Sequence, residues 1–157
     1  MKELDTIDVT LPVDPGHPIT AKCGQINKAY WTTFHKGTDF GAKRGKKGNI
    51  IPMDGSPIYS ATPGIVQILG NDPAGLLGLR AWILWKMPNG QQIRCGYFHL
   101  SKTMLNLNQI ITEGQLIALS GHSGTRRDGT PNPSHLHFQV ETWPDRLVLC
   151  PRFKTKA

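Results

Sequence analysis

A chain of 157 residues, 38% of them apolar, is long enough for one domain with a packed core and too short for two comfortable ones. That apolar content and four tryptophans exclude a disordered chain, and no stretch approaches the roughly 20 apolar residues of a spanning helix. The formal charge of +7, with an isoelectric point near 9.5, fits either a polyanionic neighbour (nucleic acid, an anionic membrane or a cell-wall polymer) or a Lys-rich soluble surface.

Residues 1–16 read as an extended N-terminal arm with no apolar leader segment, so they are not a secretory signal. The arm reads as a simple edge strand; the alternative is a segment folded over the active face. "VDPGHP" turns the chain, and "PITAKCG" follows as a short strand. "YWTTFHKGTDFGA" alternates around Gly37 and reads as a strand with a close approach at the glycine. "AKRGKKGNIIPMDGS" is a basic loop. It lacks the interleaved aromatics of a single-strand-binding platform, so no nucleic acid is expected.

"PIYSATPGIVQILG" gives two short β runs about Pro63-Gly64. "LRAWILWKMPNGQQIRCGYFHLS" is the clearest hairpin, two apolar runs flanking Asn89-Gly90. A helical turn is the reading of "LSKTMLNL". "IITEGQLIALSG" holds a turn at Glu113-Gly114, "HSGTRRDGTPNP" is a polar loop, and "ETWPDRLVLCPRFKTKA" closes the chain as strand or coil. No segment sustains a 3.6-residue period over a helical length, and no repeat is present. The fold expected is mainly β, antiparallel, with residues 17–157 as a single domain.

Cys23, Cys95 and Cys150 lie far apart, without a C-x-x-C pair. A thiolate zinc site is thereby excluded, and free thiols in a reducing compartment are the default expectation, with one disulfide as the alternative.

The chemistry concentrates in the histidines. In "PSHLHFQV", read as a strand, Leu136, Phe138 and Val140 line one face, while His135, His137, Gln139 and Glu141 line the other. In "FHKGTDF", His35, Gly37 and Asp39 share a face. In "CGYFHLS", Cys95, Tyr97 and His99 do so. Each signal alone is ambiguous: H-x-x-x-D is commonly a surface pair, and H-x-H also serves cupins and amidohydrolases. Together, three β segments bring histidines and a carboxylate to polar faces. A catalytic zinc needs three such ligands and an open position. His35, Asp39 and one of the H-x-H pair supply three; the other and His99 remain to act as base or oxyanion stabiliser.

"HKGTDFGA", "GSPIYSATPGIV", "GYFHLS", "EGQLIALSGHSG" and "HLHFQVE" occur in the order and approximate spacing of lysostaphin-type (LytM-like) zinc endopeptidases, which the chain resembles over roughly residues 17–150. The resemblance implies an antiparallel sheet forming a substrate groove, a β fold of the duplicated-hybrid-motif type. It implies one Zn2+ per chain on His35, Asp39 and His137, with His99 and His135 flanking the attacking water. It implies an endopeptidase acting on peptide bonds of bacterial peptidoglycan, in the stem, the direct cross-link or a glycine-rich bridge. The other readings are an inactive LytM-like module that binds wall or activates an amidase, and a cupin. The second fails on the histidine it expects after His137.

Two places depart from the family pattern. The loop before H-x-H is long, and its Arg126 and Arg127 could take a carboxylate of the peptide stem; Tyr97, sharing His99's face, could line the groove. The usual glutamate after Phe138 is Gln139, with Glu141 two residues on. Without a leader, the expected setting is a monomeric phage or prophage lysin (endolysin-like, antimicrobial). It would be made in the cytoplasm, then reach the wall by host lysis or in a virion, with no membrane insertion.

Overall fold

A computed structural model describes residues 4–27 and 33–155. Among them the regular structure is all strand: β1 (Thr6–Thr10), β2 (Ile19–Ala21), β3 (Thr38–Phe40), β4 (Lys43–Arg44), β5 (Ile50–Ile51), β6 (Pro57–Tyr59), β7 (Gly64–Asn71), β8 (Leu79–Lys86), β9 (Gln92–Thr103), β10 (Ile110–Ile111), β11 (Leu116–Ser120), β12 (Leu136–Trp143) and β13 (Val148–Lys154). The main sheet runs β1-β13-β12-β9-β8-β7-β10, with β3 continuing from β12 to β2 and β11 bridging β9 to β6. It is mixed, because β1 pairs parallel with β13 while its other pairings are antiparallel. The N-terminal arm is thus an edge strand, and it sends Val9 and Val13 into the core.

The Pro88-Asn89-Gly90 turn joins β8 to β9 as the Asn-Gly signal predicts, with Gly90 at φ 88°. The basic loop closes into the small β4–β5 hairpin. "LSKTMLNL" is not a helical turn: β9 carries through Thr103, and a turn comes after it. The segment "YWTTFHKGTDFGA" lies partly outside the described residues. Its described part is strand only from Thr38, so His35 reaches the site from a loop.

One face of the sheet packs the core. Phe40, Ile83, Cys95, Tyr97, Leu100, Leu136, Phe138 and Val140 meet there, among others. The opposite face of β8, β9 and β12 carries Trp82, Arg94, Phe98, His137, Gln139 and Glu141 in contact with one another. β12 alternates between the two faces as the sequence predicts.

β9 does not alternate throughout. Its register against β8 slips between the pairs Ala81↔Tyr97 and Leu79↔Leu100, and His99 adopts a left-handed φ of 62°. The extra residue is a bulge, which flips the parity of the residues beyond it. Phe98 and His99 therefore both leave the core, whereas Tyr97 stays in it.

The expected shared face of Cys95, Tyr97 and His99 is overturned by that bulge. Tyr97 is fully buried, its hydroxyl accepts from the Ala61 N–H at 2.9 Å, and it lines no groove. Free thiols are a second correction. Cys23 and Cys150 form a disulfide that ties the loop after β2 to β13, leaving Cys95 as the free thiol, buried in the core.

Candidate metal centre

Register builds the centre. His137 of β12 sits directly opposite Asp39 of β3 on one side and Phe98 of β9 on the other. Opposed residues of antiparallel strands bring their side chains within reach of each other. The result is His137 Nδ1 at 2.9 Å from Asp39 Oδ1, with the imidazole stacked on Phe98 at a 5.1 Å centroid distance and 9° between planes.

His35 enters from the loop before β3. It is fixed by its backbone, with the His35 N–H donating to Gln25 O (2.8 Å) and the Gly24 N–H donating to His35 O (2.8 Å). Its Nε2 lies 3.3 Å from Asp39 Oδ2 and 3.3 Å from His137 Nδ1. Gly37 permits the close approach expected of it. A Cβ there would fall 2.5 Å from His137 Nε2 and closer still to the Phe138 carbonyl, so the object over this glycine is the ligand imidazole itself.

The three ligand atoms converge within 4.8 Å. His35 Nδ1 donates to the Lys22 carbonyl at 3.2 Å, which leaves an Nε2 lone pair facing the carboxylate. His137 engages Gln139 through Nε2 at 3.1 Å and presents Nδ1. Burial opposes ionisation of Asp39, but the adjoining His137 and His35 imidazoles outweigh it and hold the carboxyl well below the usual range. Two imidazole nitrogens and an ionised carboxylate, all pointing inward, are the donor set of a divalent cation such as zinc. The residues present fit the metal.

Beside the ligands stand two further imidazoles, His99 and His135, with ring centroids 4.7 Å apart. His135 Nδ1 donates to the Pro133 carbonyl at 2.7 Å, and its Nε2 is 3.9 Å from Asp39 Oδ1. His99 Nδ1 donates to the Ser123 carbonyl at 2.9 Å. Burial first, and then neighbouring His135, lower the His99 pKa to about 4, so its ring is neutral at neutral pH.

Ser123 and Asn132 hold His99 in place, and the sequence does not point to them. Ser123 Oγ donates to Leu100 O (2.6 Å) and accepts from the Leu79 N–H (2.9 Å), while Asn132 Nδ2 donates to the Ser123 carbonyl (3.3 Å). Together they lash the polar loop to the bulge that carries His99. No local sequence signal marks a residue whose work is done by a carbonyl. His17 is buried, its Nδ1 donating to the Gly41 carbonyl at 2.8 Å. Arg126 and Arg127 are exposed in a turn of that loop closed by Arg126 N–H to Thr130 O, and no contact joins them to the centre.

The model of peptidase family M23 matches residues 33–147, the span that holds His35, Asp39 and His137. The chain belongs to peptidase family M23. Among its relatives is a metalloprotease of Haemophilus influenzae, 28% identical over 133 residues, covering 83% of this chain and 22% of that protein. Another is the peptidoglycan DD-endopeptidase ShyA of Vibrio cholerae, 30% identical over 125 residues, covering 79% of this chain and 22% of that one. The chain thus spans about a fifth of the length of these relatives. The catalytic domain of the antimicrobial peptidase lysostaphin from Staphylococcus simulans shares the fold at a TM-score of 0.60 and 24% identity, over 80% of each chain. The lysostaphin-like β fold and the lysostaphin-type (LytM-like) resemblance expected from the sequence both hold.

Proposed function

We propose that this M23 domain is a zinc-dependent endopeptidase that hydrolyses peptide bonds in the cross-links or stems of bacterial peptidoglycan. The observation that carries this reading is the convergence of His35 Nε2, Asp39 and His137 Nδ1 beside the His99–His135 pair. The similarity to a DD-endopeptidase supports the substrate class. The Cys23–Cys150 disulfide also suits a protein that works in an oxidising compartment. A net charge of +7 favours approach to an anionic wall, with affinity that falls as salt rises.

Zinc held by His35, Asp39 and His137 would polarise the scissile carbonyl and acidify the attacking water towards a pKa of about 7. The chain's own residues supply the proton traffic. With Nδ1–H of each donated to a carbonyl, His99 and His135 both keep an Nε2 lone pair that accepts a proton. One takes the proton of the attacking water; once charged, the pair can stabilise the oxyanion and return the proton to the leaving amine. The Ser123 and Pro133 carbonyls hold both tautomers throughout.

The test is mass spectrometry of fragments released from purified sacculi by zinc-loaded protein, beside an Asp39→Ala control. New amine and carboxyl ends, absent from the control, are the expected result and would name the bond. Intact sacculi from several wall types, with full zinc occupancy, would instead favour a wall-binding module.

A further inference from the structure

Gln139 and Glu141 stand where the chain departs from its family's pattern, and the structure gives that departure a role. We propose that Gln139 is a positioning residue: a directional chain of buried hydrogen bonds, Arg94 to Glu141 to Gln139, fixes the proton of His137 on Nε2 and so presents Nδ1 to the metal. The inference rests on the metal centre proposed above.

The direction of each bond is set by chemistry. Arg94 is 3% exposed and can only donate. Its Nε and Nη2 both lie 2.7 Å from Glu141 Oε1, and Arg146 Nε reaches the same oxygen at 2.9 Å. Arg94 is itself held by Gln67 Oε1 at 3.0 Å and by the rings of Trp82 and Trp143, at 3.9 and 4.3 Å. Glu141 is therefore an ionised acceptor with one oxygen occupied. Its Oε2, at 3.3 Å, takes the Gln139 amide N–H. That sets the orientation of the amide, so Gln139 Oε1 must face His137 Nε2 at 3.1 Å, and the ring nitrogen must be the donor.

This bond decides something packing leaves open. Phe98 stacking and the missing Cβ of Gly37 fix the plane of the His137 ring. Neither distinguishes the ring from its 180° flip, which would turn a carbon edge towards Asp39. Asp39 Oδ1, 2.9 Å from Nδ1, favours the same flip but would draw the proton to Nδ1; the acceptor at Nε2 holds it on the far nitrogen and leaves Nδ1 for the metal.

The chain also explains the amide. A carboxylate at position 139 would lie against the Glu141 carboxylate, a like-charge pair that burial makes costly. With Glu141 and Arg94 carrying the buried charge, a neutral link to the ligand is the compatible choice.

The experiment measures zinc affinity by chelator competition in wild type, Gln139→Met and the exchange Gln139→Glu/Glu141→Gln, beside the thermal midpoint of each metal-free protein. Long-range 15N–1H NMR of His137 in zinc-loaded wild type reads the tautomer directly. Gln139→Met preserves volume but cannot accept, and should weaken zinc binding about 10- to 100-fold with its metal-free midpoint near wild type. The exchange reverses the bond between the two side chains but still offers an acceptor to His137 Nε2 and another to Arg94, and should restore affinity to within about 3-fold of wild type. NMR should show Nε2 protonated and Nδ1 on the metal. Wild-type affinity in Gln139→Met, or a proton on Nδ1 of zinc-loaded His137, would overturn the assignment even if a variant folds poorly. Failure of wild type to bind zinc at all would sink the metal centre, a result distinct from either.

Discussion

The ligand triad and the imidazole pair touch each other but are held by different parts of the molecule. Asp39 and His137 face each other across paired strands, so sheet register sets their distance. His99 and His135 are held by carbonyls of the loop between β11 and β12, and His99 sits on a bulge in a left-handed conformation. A register cannot shift by less than a whole residue, whereas a loop and a bulge can be re-aimed. The Asp39–His137 pair is thereby the rigid part of the site, and the His99–His135 pair is the adjustable one.

That contrast can be broken by mutation. His99→Ala and His135→Ala should each lower activity by a factor on the order of 10²–10⁴ while zinc stays bound, read by kcat/KM beside metal analysis. Full activity in both would remove the pair from the mechanism. His99→Gly should be as inactive as His99→Ala yet more stable by roughly 1 kcal/mol in urea unfolding, since glycine tolerates a φ of 62° that alanine does not.

On the rigid side, Gly37→Ala drives a methyl group against His137 and the Phe138 carbonyl. Zinc affinity should fall by about 10-fold or more, with a loss of roughly 1–3 kcal/mol of stability. An unchanged zinc constant would show that the register is softer than the contacts imply.

The smallest expected effect on activity concerns Cys95, on the core face of the sheet. Burial pushes the Cys95 thiol up to about 12, so a thiol reagent at pH 8 should find no reactive group in the native protein. One should appear on unfolding without reductant and three with it, the count that distinguishes the Cys23–Cys150 disulfide from free thiols. Cys150→Ser, which opens a link between residues 127 apart, should cost about 2–5 kcal/mol.

Much of the site is legible in the chain because strands have a period of two. The alternation of Leu136, Phe138 and Val140 against His137, Gln139 and Glu141 holds in the sheet, and a glycine between His35 and Asp39 does mark a close approach. The same rule misplaced Tyr97, because one bulge reverses every face beyond it and leaves no mark in composition. Ser123 and Asn132 were invisible for a related reason: their role depends on which loop folds over which strand.

By itself, then, the sequence determined the β class, the main hairpin and the residue types of a candidate metal site, since these arise from local periodicity, turn chemistry and ligand chemistry. Only the tertiary structure decided which face His99 joins, which cysteines pair, and why Gln139 and Glu141 stand together behind His137. Those outcomes depend on contacts between residues up to 127 positions apart, and no local pattern encodes them.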